Sequence, residues 1–239
     1  MERTSVRPGE TGHAGGPRAT ERLLRLTEAG AGQRIADLGC GTGRTAAMIA
    51  GSGMDVTAVD IDAEVLARAR VRAAKRGVAG KVYAVQADVH RLPFEEGTFD
   101  AALAESVLAF CDADRAAREA FRALKPGGIF GINELTYMRE PDPGLKAVLR
   151  LTMGLSPRGE AEWKAVLRKA GFVDVASETS KISLPGQLLG CLRADGPLRD
   201  SLFSSRAARA LLSRKALKTV IRHRSSVGYG LYVGRKPRQ

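Results

Sequence analysis

Cysteine is scarce, with three residues in a chain of 239, at Cys40, Cys111 and Cys191. Thiols so few and so far apart exclude a disulfide scaffold. Histidine is as scarce (His13, His90, His223), and no paired Cys/His spacing occurs, so no metal site is expected. No run of ~18 apolar residues exists, which excludes a membrane-spanning helix. Met1 to Pro17 lack the apolar stretch of a secretory signal, so the expected location is cytoplasmic.

Acid is nearly missing from one part of the chain. Residues 181–239 carry 13 basic side chains and only Asp195 and Asp200, whereas residues 1–180 carry 25 basic and 24 acidic ones. A near-neutral body with a basic C-terminal part implies either an acidic partner or a solvated basic face. The acidic partner could be nucleic acid, an anionic membrane or a phosphorylated substrate.

What is present is an ordinary globular composition, 44% hydrophobic and 27% charged, long enough to bury a core without staples. Residues 1–18, rich in Gly and Pro, read as a flexible lead-in. Residues 19–239 read as a single domain, with a first helix beginning near Ala19. Strand and helix patterns then alternate. Strands are expected at Arg34–Leu38, Asp55–Ile61, Lys81–Ala87, Phe99–Ala104 and Ile129–Leu135. Helices are expected at Thr42–Gly51, from Asp62 to Gly77, and at Ala113–Leu124. Lys125-Pro126-Gly127-Gly128 reads as a turn. Ser156-Pro157 opens a helix closed by Gly171, followed by strands at Phe172–Ile182 and Val227–Gly234. Residues 137–158 and 183–226 read as lid or insert elements, the second mainly helical. Such alternation specifies an α/β fold with a doubly wound parallel sheet.

The sharpest signal is Asp37-Leu38-Gly39-Cys40-Gly41-Thr42-Gly43, set between a strand and a helix. Glycines there permit positive φ and close backbone approach to a ligand, and the helix start offers unpaired N–H groups. The dinucleotide fingerprint needs a third glycine where this chain has Arg44, so the loop departs from the NAD pattern. Asp60 ends the second strand, about twenty residues on, placed to accept from a ribose diol. Asp88 ends the third strand, placed to accept from an adenine amino group. Each acid alone reads as a helix cap or loop residue. Three acids at strand ends, in register with a glycine loop, read as a ligand edge.

These residues, with Val59-Asp60, Gln86-Ala87-Asp88, Leu92-Pro93-Phe94, Phe99-Asp100 and Leu124-Lys125-Pro126-Gly127-Gly128, resemble the successive motifs of class I S-adenosylmethionine-dependent methyltransferases. The likeness is to the small-molecule group that includes the ubiquinone and menaquinone C-methyltransferases. It covers residues 20–182 and the strand at Tyr229–Gly234. It implies a Rossmann-like seven-stranded sheet whose last strand is antiparallel, with a helical insertion before it, and S-adenosyl-L-methionine as cofactor. It further implies that Asp37, Gly39 and Gly41 hold the methionine end, Asp60 with Ile61 the ribose side, and Asp88 with Val89 the adenine. Ala104 and Glu105 would lie beside the sulfonium.

Methyl transfer needs positioning and, for carbon or oxygen acceptors, a base. Glu134 at the end of the fifth strand, Glu105 and Tyr137 are the catalytic candidates. Each has a plain structural alternative as an exposed strand end, an arginine partner or a core residue. Trp163, with Val166, Leu167 and Phe172, has core spacing. The Asn/Asp-Pro-Pro-aromatic tetrad of base-amine methylators is missing, since Ala104-Glu105-Ser106-Val107 stands there. In 198–224, Phe203, Ala207, Ala210, Leu217 and Ile221 form an apolar stripe flanked by cations. Leu212 and Arg214 break it, and few aromatics are interleaved for base stacking. The expected activity is methyl transfer to a small, hydrophobic or natural-product-like acceptor. Peripheral contact with an anionic membrane is one candidate role for the basic part. An RNA methyltransferase, for which nucleic acid is a less favoured partner, and a non-catalytic cofactor-binding module remain alternatives.

Overall fold

A computed structural model describes residues 13–182, 218–219 and 222–238. The strands are β1 (Arg34–Leu38), β2 (Asp55–Asp60), β3 (Val82–Gln86), β4 (Phe99–Glu105), β5 (Leu124–Tyr137), the two-residue β6 (Arg158–Gly159), β7 (Val173–Lys181) and β8 (Val227–Arg235). The α-helices are α1 (Gly16–Leu26), α2 (Arg44–Gly51), α3 (Ala63–Lys75), α4 (Ala113–Ala123), α5 (Pro143–Met153) and α6 (Glu160–Lys169). The main sheet runs β3-β2-β1-β4-β5-β8-β7, and β6 adds only a short parallel pairing to β5. β8 is antiparallel to both its neighbours, as the resemblance implies.

Successive strand residues point to opposite faces, and this period of two sorts the core. Ile35, Ala101, Leu103, Ile129 and Leu231 pack under α1, α2 and α3. Their neighbours Ala36, Ala102, Ala104, Phe130 and Tyr232 pack under α4, α5 and α6. On α4, Ala113, Ala116, Ala117, Ala120 and Ala123 are all buried, a helical stripe of methyls that lets the helix lie close on the sheet. Trp163 is fully buried, as its spacing implied, and donates from Nε1 to the Leu135 carbonyl at 3.1 Å.

The β1 to α4 region follows the sequence closely. Asp62 caps α3 by accepting from the Glu64 and Val65 N–H groups, and Gly77 beyond its end has φ +69°. Elsewhere the structure corrects the reading. α1 starts at Gly16 rather than Ala19, and the described part of the lead-in, from His13, packs on the fold. Asn133 Nδ2 holds the Ala14 carbonyl at 2.9 Å, which draws this stretch into the fold. The Lys125–Gly128 turn is part of a 14-residue β5. The helix expected from Ser156 begins at Glu160, because Glu162 reaches back to the Gly159 N–H at 2.6 Å and fixes the start there. Within the 137–158 element lies α5, opened by Asp142 and Pro143 and closed by Gly154 at φ +66°. Most of the 183–226 insert lies outside the described residues. No helix among the described residues is long and apolar enough to cross a membrane.

Candidate active site

The three loop glycines serve different purposes. A Cβ on Gly39 (φ +69°) would meet Val107 Cγ2 at 2.4 Å, and one on Gly43 (φ +72°) would meet Ala69 Cβ at 2.6 Å. Both are small because the β4 loop and α3 press on them. Gly41 (φ +53°) faces open space, with nothing within 4 Å of a Cβ there. This is the place where a ligand can approach the backbone. The loop is tied to β2 twice, by Cys40 N–H to the Val59 carbonyl and by Gly41 N–H to Asp60 Oδ2, both at 2.9 Å.

Asp37, 2% exposed, leaves its Oδ2 without a partner. Burial raises its pKa to about 8, the charges of Glu105 and Asp60 push the same way, and the Ala46 N–H opposes them. Asp60 also accepts from the Asp62 N–H at 3.1 Å through Oδ1. Beside it Ile61 is 68% exposed, a large apolar side chain offered to solvent at this edge. β3 ends at Gln86, so Asp88 sits in the following loop rather than at the strand end. It accepts from the His90 N–H at 2.9 Å and lies 2.7 Å from His90 Nδ1. The His90 N–H chiefly holds the Asp88 carboxyl below its usual range. Val89 packs on the α4–α6 face. An orphan acceptor in Asp37, the open side of Gly41, spare acceptor positions on Asp60 and Asp88 and the exposed Ile61 together fit a cofactor that carries an ammonium, a ribose diol and an adenine.

Glu105 points into the α1–α2 face and is 4% exposed. Its carboxylate accepts from Thr20 Oγ1 (2.9 and 3.0 Å), Thr45 Oγ1 (2.9 Å) and Asn133 Nδ2 (3.0 Å), and His13 Nδ1 lies 3.3 Å away. An acid so fully engaged is a fastener between α1, α2, β4 and β5. Sequence reasoning missed His13, Thr20, Thr45 and Asn133, because partners so far apart in sequence leave no local pattern. The next residue, Ser106, has φ +57°. That strain is stored where the β4 loop meets Gly39. The Ala104 methyl is buried in the opposite core, so only its backbone can face a cofactor.

Glu134 lies three residues before the end of β5 and is fully buried. Its Oε1 accepts from Val107 N–H at 2.8 Å and Leu108 N–H at 2.6 Å, which organises the loop after β4. Burial lifts its pKa to about 7 against the pull of these N–H groups. The placement of Glu134 at the end of the fifth strand, and its alternative as an exposed strand end, are therefore corrected: β5 runs on to Tyr137, and Glu134 is buried under the β4 loop. Tyr137 does reach a cavity. It lines a groove of about 500 Å³ with Arg139, Lys146, Arg150, Leu155 and Ser156. Ser156 N–H donates to the Ala109 carbonyl at 2.8 Å, which joins this groove to the β4 loop. No cluster of acidic, histidine or cysteine side chains among the described residues could hold a metal ion.

A parallel sheet reversing its order at β1, with a glycine loop and strand-end acids on one edge, defines an α/β protein that binds a nucleoside cofactor. Residues 36–132 match the family described as "Methyltransferase domain". The uncharacterized methyltransferase YodH of Bacillus subtilis is 35% identical over 161 residues, 67% of this chain and 68% of that protein. The 27-O-demethylrifamycin SV methyltransferase of Amycolatopsis mediterranei is 29% identical over 228 residues, 92% of this chain and 83% of that protein. Among solved structures, the [4+2]-cyclase SpnF superposes with a TM-score of 0.76 at 25% identity, over 96% of this chain and 87% of that one. A geranyl diphosphate methyltransferase in complex with S-adenosylmethionine gives 0.73 at 17% identity, over 92% and 84%. The chain belongs to the class I S-adenosylmethionine-dependent methyltransferases, and S-adenosylmethionine is its cofactor. The likeness to the quinone C-methyltransferases is only a loose one.

Proposed function

We propose that this enzyme methylates a small, largely apolar, natural-product-like acceptor held in the groove that Tyr137 lines. The observation that carries this is the continuity of the groove with the β4 loop through the Ser156–Ala109 hydrogen bond. A cavity of about 500 Å³ is also of small-molecule size. Similarity along most of the chain to a methyltransferase named for a rifamycin supports the same reading. RNA methylation and a purely non-catalytic role are not favoured by these likenesses.

The cofactor, when bound, supplies a methyl group on a sulfonium, ready for in-line displacement. Asp37 and Gly41 would take its amino-acid end, Asp60 and Ile61 its ribose, and Asp88 and Val89 its adenine. Glu105 positions rather than reacts, since its oxygens are already engaged by Thr20, Thr45 and Asn133. Glu134 holds the β4 loop against the glycine loop. Tyr137 is the catalytic candidate that reaches the groove, and its phenol orients the acceptor. Burial, then Glu162, raises its pKa, so it stays a neutral donor.

Two measurements test this. S-adenosylhomocysteine at one hundred times its dissociation constant should add about 2.7 kcal/mol of stability. Transfer of labelled methyl to a cell extract should mark the organic-soluble fraction. Label confined to RNA, or none anywhere, would overturn the reading.

A further inference from the structure

We propose that the groove beside α5 recognises its acceptor by an anionic group, a carboxylate or phosphate on an otherwise apolar body, with Arg150 and Lys146 as the receiving cations. This rests on the reading of the chain as a small-molecule methyltransferase and names the acceptor's class.

The placement follows from helix geometry. Residues four apart share one face of an α-helix, and Lys146 and Arg150 on α5 both line the groove. Two like charges one turn apart repel each other, and an anion between them turns that repulsion into attraction. The carboxylates in the groove wall are already engaged. Glu162 accepts from the Gly159 N–H at 2.6 Å, and Glu140 is paired with Lys146 at 3.2 Å, an exposed ion pair that an incoming anion would share, so Arg150 is the principal receiving cation. Arg139, also in the lining, is already engaged, donating to Ser225 and Ser226 at 2.9 and 2.8 Å. Arg150 is left with no hydrogen-bond or ion-pair partner for its guanidinium among the described residues. Tyr137, Leu155 and Pro157 supply the apolar wall.

The topology adds a second argument. Tyr137 pairs with Val227, and Lys181 pairs with Gly228. The chain after β7 therefore leaves, and the chain before β8 returns, at the same edge as the end of β5. The stretch 182–226 carries nine basic and two acidic residues. Both flanks of this basic stretch, Lys181 and Val227, thus stand at the edge of the sheet where Tyr137 lines the groove. A nucleic acid is the weaker occupant. That stretch offers one aromatic, Phe203, for base stacking, and the groove is concave and of small-molecule size.

The test uses the whole protein saturated with S-adenosylhomocysteine and three probes of one chain length: decyl phosphate, decanol and decylamine, each below its micellar concentration. Binding is followed by calorimetry at low and high salt. Decyl phosphate should bind about tenfold or more tighter than decanol, as charge-assisted hydrogen bonds require, and added salt should erode the preference. Decylamine should bind weakest. Arg150→Leu should cost about tenfold for decyl phosphate and leave decanol and S-adenosylhomocysteine unchanged. Arg150→Lys should recover part of the loss. Equal affinities for decyl phosphate and decanol overturn the proposal. So does an unaltered decyl phosphate affinity in Arg150→Leu, or binding of an RNA oligonucleotide or phosphatidylserine vesicles with which decyl phosphate does not compete. Failure of S-adenosylhomocysteine itself to bind instead strikes the cofactor reading beneath, and this inference with it.

Discussion

The two ends of the ligand edge are built by different means. Around β1, β2 and β3 the chain fixes its geometry with backbone devices, namely glycines at positive φ, an Asp cap and carboxylates on N–H groups. Around β5, β6 and β8 it uses long-range side-chain contacts, such as Arg139 on Ser225 and Ser226 or Thr136 on Tyr232 at 2.8 Å. Backbone devices fix one geometry, as the proposed cofactor side requires. Side-chain contacts can be exchanged without disturbing the sheet, which suits the part of an enzyme that must fit its own acceptor.

The largest effect should come from Gly39. Gly39→Ala combines positive φ with a 2.4 Å clash against Val107, and both costs fall on the folded chain. Roughly 2–5 kcal/mol should be lost in urea unfolding. Gly41→Ala meets open space and should cost only about 1 kcal/mol of stability. It should nevertheless abolish most cofactor affinity, because the new methyl fills the approach. If the two variants lose stability equally, the division of labour among the glycines is wrong.

Next comes Asp60→Ala. With Asp60 on the ribose, as proposed, this variant removes two charge-assisted hydrogen bonds, each worth roughly 1.5–3 kcal/mol. Affinity for S-adenosylhomocysteine should fall by tens-fold or more while the fold survives. Unchanged affinity would place the ribose elsewhere.

These strong predictions fall where the sequence was most legible, and for a physical reason. A glycine that must have positive φ, or an Asp that must cap a helix, announces itself within a few residues. The β1 to α4 elements were accordingly read to within one or two residues of their ends. Gly15-Gly16-Pro17, expected as part of a flexible lead-in, instead opens α1, for the opposite reason. Gly15 is small because a Cβ there would meet the Tyr229 ring at 2.5 Å, a contact across most of the chain. The Thr20–Glu105–Asn133 fastener and the role of Glu134 under the β4 loop are likewise long-range. No periodicity reports them. α5 did leave signals, Asp142-Pro143 at one end and Gly154 at the other, but the flanking prolines obscured them.

Glu134 offers a sharper comparison between the halves, since it belongs to β5 yet supports the loop against Gly39. Its carboxyl has a raised pKa, so between the ordinary carboxylate value of 4.5 and about 7 the native state binds more protons than the unfolded one. Stability from this group is therefore full at low pH and declines as pH rises through that window. Asp37 acts in the same sense up to about 8. Glu134→Gln keeps an acceptor for the Val107 and Leu108 N–H groups and should flatten the decline between pH 5 and 7. Glu134→Ala leaves those two donors without their acceptor and should cost about 2–4 kcal/mol at every pH. An unchanged pH slope in Glu134→Gln would mean that the buried acid is not what titrates.

The smallest effect should come from Tyr137→Phe, and it bears directly on whether the halves divide their work. Tyr137 ends β5, four residues beyond Asn133, which pairs with Glu105 at the end of β4. At about 3.3 Å per residue, the phenol's backbone stands ~13 Å along the sheet from the Glu105–Asn133 fastener. Removing the hydroxyl deletes one neutral hydrogen bond, worth roughly 0.5–1.5 kcal/mol. The acceptor KM should rise about two- to tenfold, with S-adenosylhomocysteine affinity unaltered. Because burial raises this phenol's pKa, the rate profile should show no limb from Tyr137 in the neutral range. A fall in kcat by orders of magnitude would instead make Tyr137 a proton carrier. A parallel loss of cofactor affinity would show that the acceptor groove and the glycine loop are one coupled site, and the contrast between the two ends of the edge would not stand.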